Sequence, residues 1–88
     1  MAWRIEFTPE SSRAIRKLGR PDQHRIVAYL EALLVDCENP RQRGKGLTAQ
    51  FSGFWRYRIG DYRVICKLKD EELIVLVVAL GHRSSVYQ

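Results

Sequence analysis

Apolar side chains in the first half of the chain recur with the spacing of one strand followed by two helices. Residues 2–7 alternate between apolar and polar side chains, which predicts a half-buried strand. Thr8-Pro9 then supplies a helix N-cap with proline at the first helical position, and Gly19 is a natural stop for that short helix. A second helix follows directly and carries apolar positions at three- and four-residue spacing to about Cys37, before Asn39-Pro40 ends it.

Three further strands follow a basic loop at residues 41–47. Residues 54–59 alternate, Gly60-Asp61 is a two-residue turn signal, and residues 62–68 return as the partner strand. Residues 73–80 are apolar at every position, as in a central strand that is covered on both faces. The order β-α-α-β-β-β predicts an α+β fold, with a helical hairpin packed on one face of a mainly antiparallel, twisted four-stranded sheet. The length of 88 residues predicts a single domain over residues 1–88.

The turn at Gly60-Asp61 determines which side chains meet across the predicted hairpin. A two-residue turn makes Arg58 face Arg63 and Arg56 face Ile65. Alternation then places the three arginines on one face. Directly opposed like charges destabilise a sheet, whereas converging guanidiniums offer planar, permanently charged donors to phosphate. The pattern therefore predicts either a phosphate clamp or a solvated strand face whose arginines serve solubility. The other face is apolar and aromatic, with Trp55, Tyr57, Ile59, Tyr62, Val64 and Cys66.

The net charge of +5 lies entirely in the second half of the chain. Up to Glu38, six basic side chains balance six acidic ones, whereas the remainder has nine basic and four acidic side chains. Residues 39–60 contain no Asp or Glu. A one-sided basic field of this kind indicates a polyanionic partner, most simply nucleic acid or an acidic protein.

Other chemistries and other compartments match the sequence poorly. Cys37 and Cys66 are too few and too far apart for a disulfide framework or a metal site, and they indicate two thiols in a reducing cytoplasm. No apolar run approaches the ~18–20 residues that a membrane span needs, and Glu6 interrupts the position of a signal-peptide core. Paired carboxylates, a Ser/His/Asp order and a complete phosphate loop are also missing. We therefore expect a cytoplasmic protein with no metal, no cofactor and no membrane partner.

Two segments of the second half carry a family resemblance. Residues 54–64 (FWRYRIGDYRV) and residues 81–87 (GHRSSVY), together with the element order, resemble the RelE/ParE superfamily of bacterial type II toxin–antitoxin toxins, and its RelE branch in particular. The resemblance covers nearly the whole chain. It implies a ribosome-dependent endoribonuclease that cleaves mRNA in the ribosomal A site by attack of the ribose 2′-oxygen on the adjacent phosphate, without a metal. It also implies three partners, namely mRNA, the 70S ribosome and a cognate RelB-like antitoxin.

The resemblance also implies which side chains form the catalytic site. Matched position by position, the family's catalytic residues fall on Arg56 and Arg58 of one strand and on Arg63 after the following turn. They continue with Arg83 after the last strand and with Tyr87 near the C-terminus. We expect the basic loop to contribute RNA-binding residues, namely Arg41, Arg43 and Lys45.

One departure from the RelE pattern concerns the general base. RelE-type toxins have lysines where this chain has Arg56 and Arg58, and one of those lysines is the proposed base. Arginine, with an ordinary pKa above ~12, does not accept a proton at neutral pH. The base is then His82, since the ordinary pKa of histidine is about 6.5, or a ribosomal group, or there is no base at all.

Two other functions stay open at this point. One is a ParE-like toxin that inhibits DNA gyrase by binding it, and the other is a catalytically weak module that only binds an antitoxin. Convergence of the arginines favours RNA cleavage, because gyrase binding does not require it. The sequence also predicts an exposed apolar patch on the arginine face, where an acidic or amphipathic antitoxin segment folds on contact. That patch comprises Ile65, Ile74, Leu76, Val78 and Leu80.

Overall fold

Two helices pack on one face of a five-stranded sheet in the computed structural model, which describes residues 2–82. The elements are β1 (Arg4–Phe7), α1 (Pro9–Arg16), α2 (Arg20–Asp36), β2 (Lys45–Gly46), β3 (Trp55–Ile59), β4 (Tyr62–Lys69) and β5 (Ile74–His82). The strands lie in the order β1-β5-β4-β3-β2, with β1 parallel to β5 and every other neighbouring pair antiparallel. The predicted α+β class, with a helical hairpin on a mainly antiparallel sheet, is confirmed.

Helix α1 is capped by a side chain and bonded directly to the sheet. The Thr8 hydroxyl accepts a hydrogen bond from the Ser11 backbone N–H at 3.1 Å, and Pro9 occupies the first turn, where a missing N–H costs nothing. Ser11 is buried, and its hydroxyl donates to the Val77 carbonyl at 2.7 Å. The bond between Ser11 and Val77 therefore fixes α1 against the central strand β5.

The core lies between α2 and the side of the sheet that faces the helices. Ile26, Leu30 and Leu33 of α2 are buried at helical spacing against this sheet. Tyr57 of β3 is buried among them, and its hydroxyl donates to the Pro40 carbonyl at 2.7 Å. Burial raises the pKa of Tyr57. Neither helix in the described part of the chain is long and apolar enough to cross a lipid bilayer.

The sequence predicts a loop at residues 41–47, but the structure pairs two of these residues with β3. Lys45 lies opposite Arg56 and Gly46 lies opposite Trp55, which makes β2 an edge strand. Glycine fits here because the backbone lies against the indole ring, and a Cβ would sit 3.0 Å from Cζ3 of Trp55. Two residues are too few to show an alternation in the sequence. The prediction of four strands is therefore wrong by this one strand.

One residue of β5 has no cross-strand partner in β4. Ile65 pairs with Ala79 and Cys66 pairs with Val77, so Val78 is the additional residue of a β-bulge. A bulge interrupts the period of two along a strand. Side chains after Val78 therefore lie on the opposite face from the one that unbroken alternation predicts.

The bulge and local burial overturn the predicted exposed apolar patch. Leu80 pairs with Val64 and packs against the core, whereas the prediction placed it on the arginine face. Ile65 and Ile74 lie on the arginine face but are only 5% and 6% exposed. Leu76 is half-buried. The prediction of an exposed apolar patch is therefore wrong, and the arginine face presents charged side chains rather than an open apolar surface.

Candidate nucleic-acid interface

The turn at Gly60 sets β3 and β4 in the register that the sequence predicts. Gly60 has a φ of +61°, a conformation that glycine adopts without strain. Arg58 lies directly opposite Arg63, and Arg56 lies opposite Ile65, so the predicted register is confirmed. Residues that alternate with the arginines are packed against the helices. The three arginines therefore share the face of the sheet opposite α1 and α2.

Lysines of two strands extend the arginine cluster across this face. Lys45 of β2 lies opposite Arg56, and Lys67 and Lys69 continue the alternation of β4 from Arg63. Lys67 and Lys69 were not among the predicted site residues, although the same period of two identifies them. This set, called the basic face below, comprises Lys45, Arg56, Arg58, Arg63, Lys67 and Lys69.

Few carboxylates neutralise the basic face within the part of the chain that the structure describes. Lys69 lies 3.7 Å from Glu72, but Arg58, Arg63 and Lys67 make no ion pair within residues 2–82. Arg58 is exposed and Arg63 is half-buried. Directly opposed like charges on neighbouring strands repel, and a polyanion that binds across them offsets the repulsion. The basic face is therefore suited to hold phosphate groups.

Two contacts hold the tip of the β3–β4 hairpin against α2. The Tyr62 hydroxyl donates to Oδ2 of Asp22 at 3.0 Å, and this bond raises the pKa of Tyr62. Arg25 lies over the turn, since a Cβ on Gly60 would sit 2.6 Å from Nη1 of this arginine. Both contacts are on the side of the helices. They fix the position of the turn from which the opposed arginines extend.

His82 lies on the opposite side of the sheet from the arginines. It pairs with Tyr62, and the two rings meet edge to face with centroids 5.8 Å apart and planes at 77°. Gly81 is the residue that lies opposite Arg63. The bulge at Val78 causes this arrangement, because unbroken alternation would place His82 with the arginines. The prediction that His82 joins the arginine site is therefore wrong.

Arg41 and Arg43, which were expected to bind RNA, are paired with carboxylates instead. Arg41 forms a bidentate ion pair with Asp70 at 2.7 and 2.9 Å, and its guanidinium carbon lies 5.9 Å from the centroid of the Trp55 ring. The hydrogen bond from Arg41 lowers the pKa of Asp70. Arg43 lies 3.5 Å from Asp36 at the end of α2. Both arginines adjoin Trp55, whose ring packs against the core and not on the arginine side of the sheet. The structure therefore does not bring Arg41 or Arg43 to the basic face.

The remaining predicted residues, Arg83 and Tyr87, lie outside the described residues. Within residues 2–82, no group of three or more His, Cys, Asp or Glu side chains lies close enough together to hold a metal ion. Burial raises the pKa of the Cys66 thiol to about 12, so this thiol is not a nucleophile at neutral pH. The chemistry that this part of the chain offers is therefore the binding and neutralisation of phosphate by fixed cations.

Comparison with known proteins assigns the chain to a family. Residues 5–87 match the family of ParE toxins of type II toxin–antitoxin systems, parDE. The chain belongs to this family. It is 27% identical to toxin RelG of Mycobacterium tuberculosis, over 100% of this chain and 99% of that protein. It is 26% identical to toxin RelE of the same organism, over 98% of this chain and 87% of that protein.

Solved structures agree with this assignment to the RelE/ParE superfamily. The RelBE2 toxin–antitoxin complex of Mycobacterium tuberculosis contains a chain with a TM-score of 0.82 and 25% identity, covering 94% of this chain and 100% of that one. The isolated RelE toxin of E. coli has a TM-score of 0.70 and 19% identity, covering 92% and 84%, and shows the shared fold. The protein is therefore a type II toxin with the RelE fold.

Replacing Arg58 with Glu tests the repulsion across the hairpin of this toxin. A cross-strand ion pair with Arg63 then replaces two like charges, so Arg58→Glu should raise the free energy of unfolding by about 0.2–1 kcal/mol. Arg58→Gln removes the repulsion without adding an attraction, and should lie between the wild type and the Glu variant. Urea unfolding followed by tryptophan fluorescence measures all three. A Glu variant less stable than the Gln variant would contradict the assigned electrostatic interaction between positions 58 and 63.

Proposed function

We propose that this toxin is a ribosome-dependent endoribonuclease that cleaves mRNA in the ribosomal A site and is neutralised by a RelB-like antitoxin. The observation that carries the proposal is the directly opposed pair Arg58 and Arg63, with Arg56 on the same face. A phosphodiester accepts planar, bidentate hydrogen bonds from such guanidiniums and offsets their repulsion. The similarity to toxins RelG and RelE, and to a chain of the RelBE2 toxin–antitoxin complex, supports both parts of the proposal.

The proposed reaction is an intramolecular attack within the RNA. The ribose 2′-oxygen attacks the adjacent phosphorus while the bond from phosphorus to the 5′-oxygen of the next nucleotide breaks. The 2′-hydroxyl loses a proton and the leaving 5′-oxygen gains one, which gives a 2′,3′-cyclic phosphate and a free 5′-hydroxyl. Negative charge develops on the non-bridging oxygens, where Arg58 and Arg63 stabilise it electrostatically.

Removal of the proton from the 2′-hydroxyl is the step at which this chain differs from the RelE pattern. Arg56 and Arg58 occupy the positions of the family's lysines, and guanidinium does not accept a proton at neutral pH. His82 lies on the other face of the sheet. Strand β2, however, brings Lys45 directly opposite Arg56, so a lysine amine lies beside the arginines on a different strand. Within the proposed mechanism, we assign the proton acceptor to the neutral amine form of Lys45, because the ammonium form has no acceptor. A ribosomal group, or attack without a base, is the alternative.

A second candidate function is inhibition of DNA gyrase. It is favoured by the family match, whose description is that of ParE toxins. Binding to gyrase does not require the basic face to contact RNA, and it leaves transcripts intact while DNA damage signalling rises. A module that only binds an antitoxin would change neither transcripts nor DNA.

Mapping transcript ends in growing bacteria that express the chain tests the proposed cleavage. Wild-type protein should produce cuts in phase with codons, and Arg63→Ala should reduce them about 10²–10³-fold, as expected for loss of one preorganised donor. Arg43→Ala is the matched control, because Arg43 pairs with Asp36 away from the basic face. Full cutting by a folded Arg63→Ala variant would contradict the phosphate site. Intact transcripts with DNA damage signalling from the wild type would favour gyrase instead.

The role of Lys45 is tested by a pair of substitutions. Lys45→Arg keeps the positive charge on β2 and removes the amine, so it should retain RNA affinity but lose most cleavage on mRNA-programmed ribosomes. Lys67→Arg is the control, since Lys67 lies further along β4, opposite Leu76. Cleavage by Lys45→Arg at the wild-type rate would exclude Lys45 as the proton acceptor and leave a ribosomal group or attack without a base.

A further inference from the structure

Strand β1 forms one edge of the sheet, and within residues 2–82 no other strand pairs with its outer side. The backbone N–H groups of Arg4 and Thr8 donate to carbonyls at and just before β5, at 2.9 and 3.1 Å. Backbone groups of successive residues in a strand point to opposite sides, so those of Ile5 and Phe7 point away from β5. The outer side of β1 therefore offers backbone donors and acceptors that can extend the sheet.

The two faces of β1 carry different side chains. Trp3, Ile5 and Phe7 lie on the side of the helices, where they are half-buried and pack against the core. Arg4 and Glu6 are exposed on the other side, with Nε of Arg4 2.9 Å from Oε2 of Glu6. The segment is therefore symmetric in kind about Ile5, with one charged and one aromatic side chain on either side of it, and the two charges have opposite signs.

We propose that two copies of this toxin associate through antiparallel pairing of their β1 strands, with Ile5 opposite Ile5 of the second copy. A twofold axis through this pair sets Arg4 opposite Glu6 of the second copy and Trp3 opposite Phe7 of the second copy, and each contact occurs twice. The backbone groups of Ile5 point outward in both copies, so the central pair is a hydrogen-bonded pair of an antiparallel ladder. The two sheets then form one continuous sheet.

Other registers of the same pairing are less favourable. A shift by one residue sets outward backbone groups opposite groups that are already bonded to β5. A shift by two residues keeps the backbone groups in phase, but it opposes Arg4 with Arg4 of the second copy in one direction and Glu6 with Glu6 of the second copy in the other. Like charges directly opposite each other destabilise a sheet. The register centred on Ile5 is therefore the one in which both charged pairs attract.

Apolar surface beside β1 adds to the area that this association buries. A hollow of about 210 Å³ lies between β1 and α2, and Ile5, Phe7, Val27, Leu30 and Glu31 line it. Val27 is 38% exposed. Antiparallel pairing about a twofold axis keeps the helical sides of both sheets on the same side, so Ile5 of the second copy lies next to this hollow. The association therefore removes apolar side chains from water on the helical side and forms ion pairs on the other.

Electrostatic repulsion between two toxins, each with a net charge of +5, is weak in this arrangement. Strand β1 lies at the opposite edge of the sheet from β2, and the order β1-β5-β4-β3 sets seven strand spacings between the two β3 strands. At about 4.8 Å for each spacing this distance is ~34 Å, more than three times the Debye length of about 10 Å at about 0.1 M salt. The arginines of the two basic faces are therefore largely screened from each other.

Sedimentation velocity of the purified toxin at about 1–100 μM tests this inference, which does not depend on RNA cleavage. Pairing of one short strand makes a small interface, for which a Kd of about micromolar magnitude is expected. The wild-type sedimentation coefficient should therefore rise with concentration from that of a monomer to that of a dimer.

Exchange of charges on β1 tests the register. Arg4→Glu and Glu6→Arg each oppose like charges in both charged pairs, so each should raise the Kd of the dimer at least tenfold. An equal mixture of these two variants pairs unlike charges again, and so does the double variant Arg4→Glu with Glu6→Arg, so both should dimerise like the wild type. The matched control is Glu38→Arg, which changes the net charge as Glu6→Arg does at an exposed position outside β1.

Loss of the dimer in both single variants, with recovery in the mixture and in the double variant, is the expected result. Circular dichroism verifies that every variant is folded. A wild type that is monomeric up to about 100 μM would overturn the inference and leave the edge of β1 to a strand of another protein. Single variants that dimerise like the wild type would exclude β1 as the interface. A folded double variant that stays monomeric would contradict the register centred on Ile5.

Discussion

The two-residue turn at Gly60-Asp61 is the constraint on which the basic face depends. Its length fixes the pairing of β3 with β4, and this pairing sets Arg58 against Arg63 at a cost in stability. Helix α2 holds the turn from the helical side of the sheet, through the hydrogen bond from Tyr62 to Asp22 and through Arg25 over Gly60. The contacts of the turn therefore lie on one side of the hairpin, and Arg58 and Arg63, which make no ion pair within residues 2–82, extend from the other side. This arrangement is expected where a site loses stability in exchange for binding.

A second constraint, the bulge at Val78, decides what lies at the end of the central strand. It rotates His82 toward Tyr62 and leaves Gly81, which has no side chain, opposite Arg63. The two faces of the sheet therefore present different side chains at this end of β5. The arginines for which we propose phosphate contacts lie on the basic face, whereas the end of β5 on the helical side forms one wall of a groove beside α1.

Local signals in the sequence predicted the parts of the fold that depend on residues close to one another along the chain. The turn signal and the period of two predicted the Arg58–Arg63 pairing, and the same period, followed further along β4, identifies Lys67. Contacts between distant residues were not predictable in this way. The bidentate bond from Arg41 to Asp70 joins residues 29 positions apart, and a bulge of one residue leaves no mark in an apolar run such as residues 73–80.

The central claim is that the arginines of the basic face contact RNA phosphates. The most direct measurement is the salt dependence of binding to a short single-stranded RNA, by fluorescence anisotropy at several salt concentrations. Removing one cation that binds a phosphate should reduce the slope of log K against log salt by about 0.7. We predict this reduction for Arg58→Gln and Arg63→Gln, and no reduction for Arg41→Gln or Arg43→Gln. Equal slopes for all four variants and the wild type would contradict the claim.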